Sequence, residues 1–193
     1  MTAAADGAVL IGAYAGVALT SGEGNVAIGY EALDAEDDGD WNTAVGYQAL
    51  TAQTGTSGTV ANTAVGYQTG VAITKSRFTT AIGFRALYTE DVGDRSTAVG
   101  YESLNFQNSD SDNETTGNTA MGFQSGYFNV TGQNNTYLGY EAGKGATGQS
   151  NGGNTGVGSN ALLSVTTGSN NVAVGNQAGD SITDGAENVI IGD

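Results

Sequence analysis

The chain has 193 residues, a formal net charge of −15, and no Cys, His or Pro. Without Cys or His there can be no disulfide, no thiolate or imidazole metal site and no nucleophile activated by either side chain. The five basic residues (Lys75, Arg77, Arg85, Arg95 and Lys144) are scattered singly and no apolar run reaches membrane-spanning length, so neither nucleic-acid binding nor membrane insertion is expected.

Leu, Ile, Val and Phe together supply only 36 residues, too few for an ordinary core alongside so large a charge. Order must then come from regularity. Residues 1–7, "MTAAADG", read as an N-terminal extension without a basic segment or export signal. From residue 8 to 193 one phrase recurs eleven times, aligned on Gly12, Gly29, Gly46, Gly66, Gly83, Gly100, Gly122, Gly139, Gly158, Gly175 and Gly192. Most spacings are 17 residues, and the copies beginning at Gly46, Gly100 and Gly139 are longer. A short phrase at a fixed period marks a stacked repeat architecture in a single domain.

The unit reads Asn (eight copies), Thr or Val, Ala (seven copies), aliphatic (all eleven), Gly, aromatic (seven copies), polar, small, then Leu or Gly, followed by a linker of about eight residues. The triplet before Gly has period two, so its first and third members share one face and the Ala between them the other. The expected core is the aliphatic column Ile11, Ile28, Val45, Val65, Ile82, Val99, Met121, Leu138, Val157, Val174 and Ile191, with Ala facing away. The conserved-position Gly turns a corner, and a linker Gly (Gly22, Gly39, Gly93, Gly132, Gly168 or Gly185) turns another, giving two short strands per coil. The expected fold is therefore all-β: a parallel β-solenoid, or β-roll, of eleven roughly 17-residue coils about 50 Å long at about 4.8 Å per rung. The Asn column reads as a ladder bonding each rung to the next, and the aromatic column after Gly as stacked packing.

The phrases "NVAIGYEAL" (25–33), "NTAVGYQAL" (42–50) and "TTAIGFRAL" (79–87) resemble the head repeats of trimeric autotransporter adhesins and, equally, the repeat regions of bacteriophage tail fibres. The resemblance implies a left-handed roll, three chains around a shared axis, and a rigid fibre segment or attachment surface. The aromatic after Gly, the longer turn and the lack of an export signal favour the viral fibre, on a virion. The alternatives are a bacterial adhesin head at the cell surface and a self-assembling extracellular filament subunit.

Chemistry is expected to be sparse, and the chain is read as non-enzymatic, with no cofactor. Two acidic clusters invite a calcium reading, with Asp34, Glu36, Asp38 and Asp40 in "DAEDDGDWN" and Asp110 and Asp112 in "SDSDNE" as candidate ligands. Solvated turn charge is the alternative, since the first cluster places Val45 where an EF-hand loop needs its Glu. The longer linkers, 51–61, 105–117 and 144–153, should emerge from one side, with Thr51, Gln53, Phe106, Asp110, Asp112, Lys144 and Gln149 as candidate contacts to a host-surface glycan or protein. The end rungs lack polar caps, so adjacent fibre subunits or domains are expected at both ends.

Overall fold

The computed structural model describes residues 6–55, 58–148 and 150–192. Thirteen strands form in chain order: β1 (Val9–Ile11), β2 (Val26–Ile28), β3 (Gly39–Asp40), β4 (Thr43–Val45), β5 (Gly58–Thr59), β6 (Thr63–Val65), β7 (Thr80–Ile82), β8 (Thr97–Val99), β9 (Thr119–Met121), β10 (Thr136–Leu138), β11 (Thr155–Val157), β12 (Val172–Val174) and β13 (Val189–Ile191). Eleven of them, all but β3 and β5, stack in sequence order as one parallel sheet, one strand per coil. The chain is thus a parallel β-solenoid of eleven coils. Ala44 pairs with Ala64, and Ala98 with Ala120, so the strand register passes unbroken across the longer coils and the extra residues are absorbed in the linkers.

Among the described residues the second strand expected in every coil forms only where β3 pairs with β5, with one isolated parallel bridge between Asp94 and Thr115. In the segment after the corner, residues of left-handed conformation donate rung-to-rung hydrogen bonds to the neighbouring coils. Gln48 (φ 53°) donates its N–H to Tyr30 O in the coil below, and Leu50 (φ 52°) donates to Thr69 O in the coil above. Such residues are disfavoured individually and persist because the ladder fixes them.

The period-two parity of the triplet is correct, but the expected faces are reversed. Ala27, Ala44, Ala64, Ala81, Ala98, Ala120 and Ala173 are buried at the strand centres. The aliphatic column instead points outward: Ile11, Ile82, Met121, Val174 and Ile191 are exposed, and Ile28, Val45, Val65, Val99, Leu138 and Val157 are half-buried. The physical reason is the thinness of the coil, whose interior receives side chains from three places in each turn and cannot take a branched residue at all of them. In the coil from Gly83 these are Ala81, Leu87 and Glu90, all buried.

Volume is traded among the three places. Where Leu gives way to Gly after the turn, bulk enters elsewhere: a Cβ on Gly143 would lie 2.2 Å from the Tyr137 ring, and one on Gly70 would meet Ile73 and Leu50 at 2.9 and 3.1 Å. Tyr137, fully buried, donates its hydroxyl to Asn151 Oδ1 at 2.6 Å, and burial pushes its ionisation far upward. Where a coil is itself sparse, as at Ala120, Gly126 and Asn129, Leu104 and Tyr137 of the adjacent coils reach into the space, as close packing requires.

The Asn column lies beside this interior and is buried. Asn42, Asn62 and Thr79 each donate a backbone N–H to the Asn Oδ1 one rung below, at 2.8 to 3.0 Å. The Asn62 and Asn118 amides in turn donate to Ser76 O and Gly132 O. The ladder therefore runs side chain to backbone, satisfying groups that burial would otherwise orphan.

Two consequences can be measured by urea unfolding followed by circular dichroism. Ala64→Leu overfills the interior and should cost about 1–3 kcal/mol, whereas Val65→Leu, on the outward face, should stay within about 0.5 kcal/mol. At the corner, a Cβ on Gly46 (φ 135°) would lie 2.1 Å from Gly66 O in the next coil. Gly46→Ala should therefore cost on the order of 3 kcal/mol.

Candidate functional site

The outward face of the sheet carries an apolar stripe. Val or Thr at the first strand position and an aliphatic at the third repeat along every rung, with no charged residue among them. Across the Gly corner the aromatic ladder runs parallel to this stripe. Tyr30, Tyr47, Tyr67, Phe84, Tyr101, Phe123 and Tyr140 stack with ring centroids 5.0–5.3 Å apart and planes within 12°. Tyr14 closes one end edge-on at 5.9 Å. Ring faces cover one another, so solvent meets their edges, and the ladder is packing between rungs, not a platform for a flat ligand.

The longer linkers lie on the opposite side of the corner, after the third interior position. That position is Leu19, Ile73, Val165 or Ile182 in several coils, but Glu36 then Gln53, and Glu90 then Gln107, in two adjacent pairs. All four polar side chains are fully buried. Gln53 is thus no surface contact. Its Nε2 donates to Asn42 Oδ1 at 3.2 Å and its Oε1 accepts from Asn62 Nδ2 at 3.0 Å. Gln107 likewise links Glu90 Oε2 (2.7 Å) to Asn118 Nδ2 (2.8 Å). In each pair the Gln belongs to a longer coil and the Glu to the 17-residue coil before it. Their sequence signal is a Glu or Gln in a column that is otherwise mostly aliphatic.

Of the other linker candidates, Thr51 is half-buried, and Phe106 packs edge-on to Tyr127 at 5.1 Å and on Phe128 at 5.5 Å. Lys144 pairs with Glu141 at 2.7 Å. Gln149 lies outside the described residues. Asp110 donates its backbone N–H to Glu114 Oε2 at 3.1 Å, while Asp112 reaches back two coils to Lys75 Nζ at 2.7 Å. These two aspartates therefore serve different partners and do not converge as a cation site.

The first acidic cluster is drawn together differently from the expectation. Carboxylate oxygens of Glu36, Asp37 and Asp38 lie within 4.8 Å of one another, the one such grouping among the described residues, and it includes Asp37 in place of Asp34 and Asp40. Asp40 Oδ1 instead accepts the Glu23 N–H at 2.8 Å. Glu36 Oε1 caps its own turn, accepting the N–H groups of Asp37, Asp38 and Gly39 at 3.1, 3.3 and 2.8 Å. Its Oε2 finds no hydrogen-bond partner, whereas Oε2 of the equivalent Glu90 accepts from Gln107 and from Ser109 Oγ. Burial pushes the Glu36 carboxyl up, against the N–H groups of Gly39 and Asp38, the nearby Gln53 amide and the Asp37 N–H. Desolvation and the like charge of Asp37 push Asp38 up as well.

No family model, curated protein or solved structure matches the chain.

The raised Glu36 pKa fixes a sign. The folded state holds this proton more tightly than the unfolded chain, so the carboxylate's penalty is full at neutral pH and fades as pH falls through the folded pKa toward the ordinary value of 4.5. Urea midpoints of the wild type should therefore rise between about pH 7 and about pH 4.5, and Glu36→Gln should flatten part of that rise.

Proposed function

We propose that the chain is a non-enzymatic structural segment of a fibre, viral in setting, in which three copies pack their apolar stripes around a common axis and turn their longer linkers outward toward a host surface. The observation that carries this reading is the stripe: Ile82, Met121 and Val174 are 37%, 50% and 38% exposed on a face one strand wide that runs the length of the solenoid. Contiguous apolar surface on that scale is characteristic of an interface. A single thin rod can cover such a narrow strip by meeting its own equivalents along the axis, and three rods do so symmetrically.

The acidic groups support a structural role as well. Glu36 and Glu90 cap turns, and Asp40 and Asp94 each accept a backbone N–H from the rung below. These are duties of architecture. The linkers, projecting away from the stripe, remain available for attachment once the stripes are joined.

Light scattering tests the assembly. The expected molar mass is three times that of the chain, and Ile82→Asp with Met121→Asp should reduce it to a single chain while the β-type circular dichroism persists. A wild-type protein that runs as a single chain overturns the trimer.

A further inference from the structure

Charge is distributed in three bands along the rod. Residues 1–40 hold eight acidic residues and no basic one; residues 41–89 hold no acidic residue and three of the five basic ones; residues 90–193 hold the other twelve acidic residues. Because coils stack in chain order, the middle band is a cationic waist between two acidic ends. At the upper rim of this waist lies a small, shallow pocket lined by Lys75, Arg77, Asp112 and Asn113.

One wall of the pocket is the tip of the longest linker, which the cations of the other wall engage directly. Asp112 Oδ2 sits on Lys75 Nζ at 2.7 Å, Asn113 Oδ1 accepts from Arg77 Nη2, and Thr115 Oγ1 accepts from Arg95 Nη1 at 2.5 Å. Three cations from neighbouring coils thus clasp one carboxylate and two neutral oxygens from a stretch of four residues. Arg77 keeps a second partner in Asp94 Oδ2 at 3.4 Å. Only the outermost side chains are held loosely: Lys75 and Asp112 are both 48% exposed, and exposed ion pairs contribute little. The base of the tip is pinned, with Glu114 O accepting the Asp94 N–H at 2.8 Å and Thr115 bridged to Asp94. The tip also sits near Asp91, whose carboxyl is pushed up by burial, by Glu90 and, to a lesser degree, by Asp112 itself.

Aromatic rings border the same cations. Phe78, 44% exposed, lies beneath the Arg95 guanidinium at 5.7 Å. Trp41, 55% exposed, occupies the equivalent column two rungs below, about 10 Å away at about 4.8 Å per rung. Its indole rests on Gly24, where a Cβ would come within 2.7 Å of Cδ1.

We propose that the Asp112 and Asn113 side chains are a displaceable stand-in, and that the bed of Lys75, Arg77 and Arg95, extended by Phe78 and Trp41, binds a carboxylate-bearing sugar chain of the polyuronate class. A uronate offers what the tip offers, a carboxylate beside neutral oxygens, and adds pyranose C–H faces that suit exposed aromatic rings. An acidic peptide offers the charge without those faces. Repulsion from the acidic ends is damped by salt, since the Debye length is about 8 Å at physiological ionic strength. The proposal rests on the attachment half of the reading above and is independent of the trimer.

The test is calorimetric titration of the full chain with a galacturonate hexamer, a neutral hexamer of the same length and a glutamate hexamer. Selective binding of the uronate is expected, tightened about threefold or more by Asp112→Ala with Asn113→Ala, which removes the competitor. Lys75→Ala with Arg95→Ala, both exposed positions, should weaken it about tenfold with the circular dichroism unchanged. No uronate binding by the tip variant, equal binding of the neutral chain, or equal binding of the glutamate chain would each overturn the proposal. A trimer that ignores uronate leaves the fibre standing without this site; a single chain that binds it does the reverse.

Discussion

Each coil must lie one strand spacing from the next along its whole contour, and that single constraint governs the other choices. At the corner it brings Gly46 so near Gly66 O that no side chain can stand between them. In the linkers it acts again at Gly22, where a Cβ would lie 2.3 Å from Gly39 O, although that backbone is not left-handed. These linker glycines serve close approach more than turning. Buried Asn follows from the same geometry, because only a short amide reaches both the N–H above and a carbonyl across the coil.

How much of this could be read in the residues depends on which quantity is periodic. Coil count, parallel stacking and strand position follow from the recurrence of one phrase, and the alternation within the triplet follows from strand geometry. The facing of that alternation does not. Hydrophobicity alone assigns Val65 inward and Ala64 outward; steric capacity decides the reverse, and it depends on Leu or Gly four residues after the corner and on whatever stands three residues beyond that. Glu36 and Glu90 look like turn acids for the same reason, although the column they share with Ile73 and Val165 marks them as interior. The meeting of Asp112 with Lys75 spans 37 residues and depends on how a thirteen-residue linker folds back, which no local pattern encodes.

The two sides of the rod are built under different rules. On the sheet side every rung is nearly the same, and the result is a continuous apolar strip bordered by stacked rings. On the linker side length varies, polar residues enter the interior, and three of the five cations, Lys75, Arg77 and Arg95, meet the longest insertion. Uniformity on one side suits self-association, and variety on the other suits recognition.

The unbroken register across the longer coils carries an evolutionary consequence. A duplication or loss of one whole unit leaves every remaining neighbour with the partner type it had before, so the molecule can be lengthened or shortened like a ruler cut at its marks. Growth within a linker leaves that scale untouched. Reach and decoration can therefore be inherited and altered separately.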